Sequence, residues 1–135
     1  MNKTEAEIYA SLPKAAYVLH EDKLIKNLEL IKRVKDEAGI SIILALKGFS
    51  MWKMFPQVYD YLDGATASSL YEAKLIYEEM GCKAHTYCAA YTDYDFDELA
   101  SISEHMVFNS IGQYLHFKKK LKSEYPGVSC GLRVN

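Results

Sequence analysis

A chain of 135 residues, half of them apolar and a quarter charged, with a net charge of −2, is sized for one globular domain and not for a two-domain enzyme. The near-neutral balance gives no electrostatic footprint for nucleic acid. The densest basic run, Lys118-Lys119-Lys120 with Lys122, shares its helix with Glu124 and reads as a solvated face. Cys82, Cys88 and Cys130 form an odd set without metal-ligand spacing, which fits reduced thiols in a cytoplasmic protein. The most apolar stretch, Ile40 to Leu46, is too short to span a bilayer.

Residues 1–15 read as an N-terminal segment. Ala16-Tyr17-Val18-Leu19 then has the composition of a short strand. From about Lys23 to Glu37 the apolar residues Leu24, Leu28, Ile31 and Val34 recur on one helical face, with Gly39 as the stop. A strand is expected over Ile42–Leu46, followed by a helix that Ser50 can cap and that Pro56 must kink or restart, since proline has no N–H to donate. Further strands are read at Gly64–Ala67, Ala84–Cys88, Met106–Phe108 and Val128–Val134. Between them stand helix start signals: Ser69 with Glu72, Ser110 with Gln113, and an acidic variant in Asp95 with Glu98. Each such cap contributes about 0.5–2 kcal/mol.

Strands that alternate with helices at intervals of roughly twenty residues predict an α/β fold with a parallel sheet. No Gly-x-Gly-x-x-Gly is present, so a dinucleotide-binding fold is disfavoured. The rhythm suits a (β/α)8 TIM barrel, which needs about 250 residues. Residues 16–135 are therefore read as the N-terminal portion of a barrel, about five βα units, with the rest of the barrel lying outside this chain.

Barrel chemistry gathers at the C-terminal ends of the strands. There the sequence offers Lys47, Ser68 with Ser69, Tyr87 to Ala89, Asn109, and Arg133 with Asn135. His20, His85, His105 and His116 are scattered, with no carboxylates at ligand spacing, so no metal set is assigned. Lys47 follows an apolar run. Pattern alone leaves two readings open: a strand-end lysine reaching solvent, or an amine desolvated at the barrel mouth and able to attack an aldehyde. Gly48 beside it would allow backbone to approach a ligand closely.

Several runs carry a family resemblance: Tyr17-Val18-Leu19-His20-Glu21-Asp22-Lys23-Leu24, Ala45-Leu46-Lys47-Gly48-Phe49-Ser50 with Trp52, Asp63-Gly64-Ala65-Thr66-Ala67-Ser68-Ser69-Leu70-Tyr71-Glu72, Phe108-Asn109-Ser110, and Gly131-Leu132-Arg133-Val134-Asn135. Through them the chain resembles the pyridoxal-phosphate barrel decarboxylases, the group of alanine racemase, ornithine decarboxylase and diaminopimelate decarboxylase. Within that group it looks most like the N-terminal part of the carboxynorspermidine (carboxyspermidine) decarboxylases. The resemblance implies pyridoxal 5'-phosphate as cofactor, held by Lys47 as a Schiff base, with Arg133 approaching the cofactor's phenolic oxygen. It implies decarboxylation of carboxynorspermidine or carboxyspermidine to norspermidine or spermidine, in a cytoplasmic homodimer.

Relatives acting on ornithine carry an acidic residue near the end of the second barrel strand, where this chain reads Ala65-Thr66-Ala67. The ring-stacking histidine, the Gly-rich phosphate loop, the carboxylate for the pyridine nitrogen and a C-terminal β domain would all lie outside this chain, so these residues alone are expected to be inactive. Three alternatives stand beside the main reading. One is another decarboxylase of the same fold, such as diaminopimelate decarboxylase. The others are a non-catalytic pyridoxal-phosphate carrier and a regulator that keeps only the fold; the Ala16–Leu19 strand argues against the carrier.

Overall fold

The computed structural model describes residues 4–134. Five strands, β1 (Leu44–Ala45), β2 (Ala65–Ala67), β3 (Ala84–Tyr87), β4 (Ser103–Phe108) and β5 (Ser129–Leu132), form one sheet in the order β1-β2-β3-β4-β5. Every neighbouring pair is parallel. Sequential order without a reversal is the winding of a (β/α)8 barrel, whereas a doubly wound sheet changes direction at a switch point. The predicted α/β class and its five parallel strands are thus the observed architecture, with a helix following each of β1 to β4 and none after β5 among the described residues.

The helices are α1 (Glu5–Ala10), α2 (Glu21–Ala38), α3 (Phe55–Tyr59), α4 (Leu70–Leu75), α5 (Phe96–Ser101) and α6 (Ile111–Glu124), with a π turn over Ile76–Met80 continuing α4. Gly39 closes α2 in the left-handed region at φ 64°, the conformation that glycine adopts without Cβ strain. Leu28 is buried and Leu24 and Ile31 pack on the core, but Val34 is 48% exposed. The inward stripe instead continues by a four-residue step to Lys35, whose amine bonds to Asp63 at 2.7 Å. Pro56 restarts the helix: a 3-10 turn over Trp52–Met54 gives way to α3 with Pro56 in its first turn.

The cap signals divide. Ser69 and Ser110 accept from the backbone N–H groups of Glu72 and Gln113. Glu72 takes the N–H of Ser68 rather than that of the cap residue, and Gln113 Oε1 is buried without a hydrogen-bond partner, so neither box closes reciprocally. Ser50 does not cap, Met51 occupying that position without a side-chain bond. Asp95 also makes no cap bond, because its carboxylate accepts from the Thr92 hydroxyl and Glu98 pairs with Lys74. The Ala16–Leu19 strand is not formed. No described strand lies beside it to supply ladder partners, and Tyr17 is fully exposed. A complete capping box, Thr4 with Glu7, opens α1 instead. Tyr9 on α1 bonds to Glu5 and to His20 at the start of α2.

The core lies between the sheet and its helices. Ala65, Ala67, Ala84, Thr86, Met106 and Phe108 point to that side from the strands, and Phe55, Val58, Ile76, Phe96, Leu99 and Phe117 meet them. Small residues on β2 and β3 let the helices approach, and Phe96 stacks on Phe117 with centroids 3.8 Å apart. Alternate strand residues, Thr66, His85, Tyr87 and Val107, occupy the opposite face and are half-buried. This inner face carries the candidate site.

Candidate active site

Strand alternation places the site residues. Ala45, Thr66 and His85 stand in register across β1, β2 and β3, and two residues further along come Lys47, Ser68 and Tyr87. Val107 and Gly131 are likewise in register, with Asn109 and Arg133 two residues beyond. A step of two returns to the same face of a strand. Tyr87 is within β3, the other four lie just past their strand ends, and the side-chain bonds Lys47–Ser68 and Arg133–Tyr87–Asn109 gather them at the C-terminal edge in two groups.

Lys47 sits in a turn directly after β1, where Gly48 and Phe49 donate back to the carbonyl of Ala45 at 2.9 and 3.2 Å. Its Nζ donates to Ser68 Oγ. Ser68 is fixed on three sides, because its N–H reaches the Glu72 carboxylate at 2.5 Å and its carbonyl accepts from the Cys88 thiol at 3.2 Å. Burial, aided by the nearby Glu72 carboxylate, pushes that thiol up to about 11, so Cys88 stays protonated and can serve as the donor. Of the two readings that pattern left open, the solvent-reaching one fits Lys47 among the described residues. Its side chain is exposed, since the described strands wall the inner face only from the β2 side. Gly48 has no positive φ, and a Cβ there would meet only Ala45 O at 3.5 Å. The chain's own packing therefore does not require glycine at this position.

Arg133 belongs to a second group. Its backbone N–H extends the β4–β5 ladder to Phe108 O. One guanidinium nitrogen donates to Tyr87 Oη at 2.7 Å, the guanidinium carbon lies 5.1 Å from the Tyr87 ring centroid, and Tyr87 Oη donates to Asn109 Oδ1 at 3.0 Å. The ends of β3, β4 and β5 are thus tied together by one phenol. Asn135 lies outside the described residues. Lys47 and Arg133 are not neighbours: four inter-strand steps separate them, roughly 19 Å along the sheet at about 4.8 Å per step.

Behind the Lys47–Ser68 pair a cleft of about 330 Å3 opens between α4 and α5, lined by Ser68, Ser69, Cys88, Ala89, Tyr91 and Asp95 among others. Tyr91 is buried and its hydroxyl lies 3.1 and 2.9 Å from the carbonyls of Thr86 and Val107. Burial raises its pKa well above that of an ordinary phenol, so it stays protonated and bridges β3 to β4. Individual strand-end residues were visible in the sequence, but the roles of Tyr87, Cys88 and Tyr91 were not. Registering the five strands by their two-residue alternation would have grouped Tyr87 with Arg133.

The histidines are less scattered than their spacing implied. His20 lies 3.3 Å from Glu5 and His116 2.7 Å from Asp93, both at the surface, whereas strand pairing brings His85, His105 and Glu104 together. The lysine run is a solvated face, with Lys120 paired to Asp97 and Lys118 over Tyr114. Cys82, Cys88 and Cys130 are free thiols. Among the described residues no helix is long and apolar enough to cross a membrane.

No family model matches the chain. It is 38% identical over 135 residues to carboxyaminopropylagmatine decarboxylase of Synechocystis sp., covering 100% of this chain and 34% of that protein. It is 40% identical over 127 residues to the carboxynorspermidine/carboxyspermidine decarboxylase of Campylobacter jejuni, covering 94% and 33%. The enzyme of that name from Herminiimonas arsenicoxydans is 38% identical over 120 residues, covering 84% and 33%. The crystal structure of Campylobacter jejuni carboxynorspermidine decarboxylase complexed with norspermidine superposes with a TM-score of 0.79 at 42% identity, over 82% of this chain and 30% of that one. The chain therefore spans about a third of the length of the curated relatives it matches, and over nearly its whole length it is similar to the N-terminal part of the carboxynorspermidine/carboxyspermidine decarboxylases.

Proposed function

We propose that the chain is part of a pyridoxal-phosphate-dependent carboxy-lyase of polyamine biosynthesis that converts carboxynorspermidine or carboxyspermidine to norspermidine or spermidine. The carrying observation is the placement of Lys47: a primary amine directly after β1, on the inner face, solvent-accessible and bonded to the Ser68 hydroxyl. That donor set fits an aldehyde cofactor. The amine is the nucleophile such a cofactor requires, Gly48 leaves the adjacent backbone bare, and Arg133 offers a positioned cation on Tyr87.

Pyridoxal phosphate, when bound, supplies an electron sink for the pair left as the carboxylate departs as CO2. This chain's residues do the rest of the positioning on their side of the mouth. Ser68, immobilised by Glu72 and Cys88, fixes the direction of the Lys47 amine. Tyr87 and Asn109 hold Arg133 at the rim. In an eight-stranded closure four steps are half the circumference, so Lys47 and Arg133 would face each other across the mouth. The phosphate and ring-nitrogen partners, the remaining strands and a second, β-rich domain belong to the remainder of such an enzyme, which this reading makes a cytoplasmic homodimer.

A second substrate reading has its own support: the Synechocystis relative that aligns over the entire chain is named for carboxyaminopropylagmatine, whose agmatine portion ends in a guanidinium instead of an ammonium. Incubating the purified chain with pyridoxal phosphate, reducing with cyanoborohydride and mapping peptides tests the site. A pyridoxyl adduct concentrated on Lys47 and lost in Lys47→Arg is expected; an adduct spread evenly over the lysines would refute the assignment. Turnover of carboxynorspermidine, carboxyaminopropylagmatine and diaminopimelate by the full-length protein separates the substrates.

A further inference from the structure

Below the layer of Ser68 and Tyr87, by about two residues or 6–7 Å of strand rise, the inner face carries a cluster that the decarboxylase reading does not use. His85 on β3 and His105 on β4 are register partners whose rings stack with centroids 4.4 Å apart and planes 8° from parallel. The β3–β4 register slips at Ala84/His85, so that Ala84 faces Ser103 while His85 faces His105. Glu104 is the extra residue. Such a bulge breaks the alternation and re-aims a side chain. Ser103 and Met106 both remain buried on the helix side, and Glu104 is turned toward the histidines. One nitrogen from each ring and one Glu104 carboxylate oxygen all lie within 4.8 Å of one another.

We infer that His85, Glu104 and His105 form a site for a divalent transition-metal ion such as Zn2+. Two imidazoles and a carboxylate are a donor set suited to zinc, with a fourth position left to water. Tetrahedral ligands at about 2.1 Å from the metal stand roughly 3.4 Å apart, so the cluster must contract by an ångström or so. Parallel rings direct their lone pairs in parallel planes, and one ring must turn about its outer bond for both to converge. The surroundings allow it. His105 Nδ1 is buried without a hydrogen-bond partner and therefore has no bond to lose. A Cβ on Gly64 would lie 3.6 Å from His85 Nε2, so glycine at that position keeps the space beside the ring clear. Burial and the neighbouring imidazole hold the His85 pKa below its ordinary value, keeping the ring in the neutral form that ligates.

The test is calorimetric titration of the metal-free chain with Zn2+, with Co2+ as the optical probe. One Zn2+ per chain is expected. Affinity should fall at least tenfold in His85→Ala and His105→Ala, and also in Glu104→Gln, an exposed and conservative change that leaves packing intact. His116→Ala, at the surface pair with Asp93, should bind as wild type. At equal Zn2+ concentration the melting temperature should rise less in Glu104→Gln than in wild type and His116→Ala. Absence of saturable binding, or unchanged affinity in Glu104→Gln, would overturn the site. A thiolate-to-cobalt charge-transfer band at one equivalent would also overturn it, by placing the ion on a cysteine instead.

Discussion

Ser103→Ala removes one of two hydroxyls that satisfy each other on the helix-facing side of β3 and β4. Thr86 Oγ1 and Ser103 Oγ are 2.7 Å apart, in residues 1% and 0% exposed. Deleting either alone strands the other without water, at a cost of about 1–3 kcal/mol. Deleting both, as Thr86→Val with Ser103→Ala, leaves no orphan, and the double variant should lie within about 1 kcal/mol of wild type. With singles near 1.5 kcal/mol each, the coupling is about 2 kcal/mol, roughly thirtyfold in the unfolding equilibrium constant. Urea denaturation at fixed protein concentration, followed by far-UV circular dichroism and by fluorescence of the one tryptophan, Trp52, measures all four corners of the cycle. Additive losses, with a coupling below about 0.5 kcal/mol, would refute the mutual-satisfaction argument.

Phe96→Ala empties a fully buried position stacked on Phe117 and should cost about 3–5 kcal/mol in the same assay; a loss under about 1 kcal/mol would mean that α5 does not anchor the core. Asp63 is held below the ordinary carboxylate range first by the Lys35 amine and then by the Ile42 N–H. Its contribution is complete above the unfolded value of about 3.9 and is lost as pH falls through the lowered folded value. The gap in melting temperature between wild type and Asp63→Asn should therefore close on acidification below about pH 4, and a gap unchanged down to pH 2 would contradict the ion pair. Tyr87→Phe keeps the ring beside Arg133 but removes the phenol shared with Asn109. Because Tyr87 is half-buried and its hydroxyl bonds sit at the exposed rim, the change should cost about 1 kcal/mol while speeding solvent exchange of the Arg133 guanidinium protons seen by NMR; a loss above about 3 kcal/mol would make the rim network structural.

What the sequence by itself determined is local or periodic. Gly39 ends α2 because a left-handed residue is needed there, Pro56 restarts α3 because it cannot donate, and Ser69 and Ser110 start helices by accepting orphan N–H groups. The alternation of five apolar strands with amphipathic helices was enough for a parallel α/β fold, and the Ala-Leu-Lys-Gly run was enough to single out Lys47. Tertiary structure decided the matters that depend on distant partners. Ala16–Leu19 has strand composition but no neighbouring ladder, and Asp95 lost its cap role to Thr92. Val34 yielded its inward place to Lys35 because Asp63 lies across from that amine. The site divides in the same way. Residue types at strand ends are a one-dimensional signal, whereas the Ser68 hydroxyl under Lys47, the Tyr87 phenol between Arg133 and Asn109, and the bulge that turns Glu104 toward two histidines exist only once strand register brings residues distant in sequence, up to 46 positions apart, into contact.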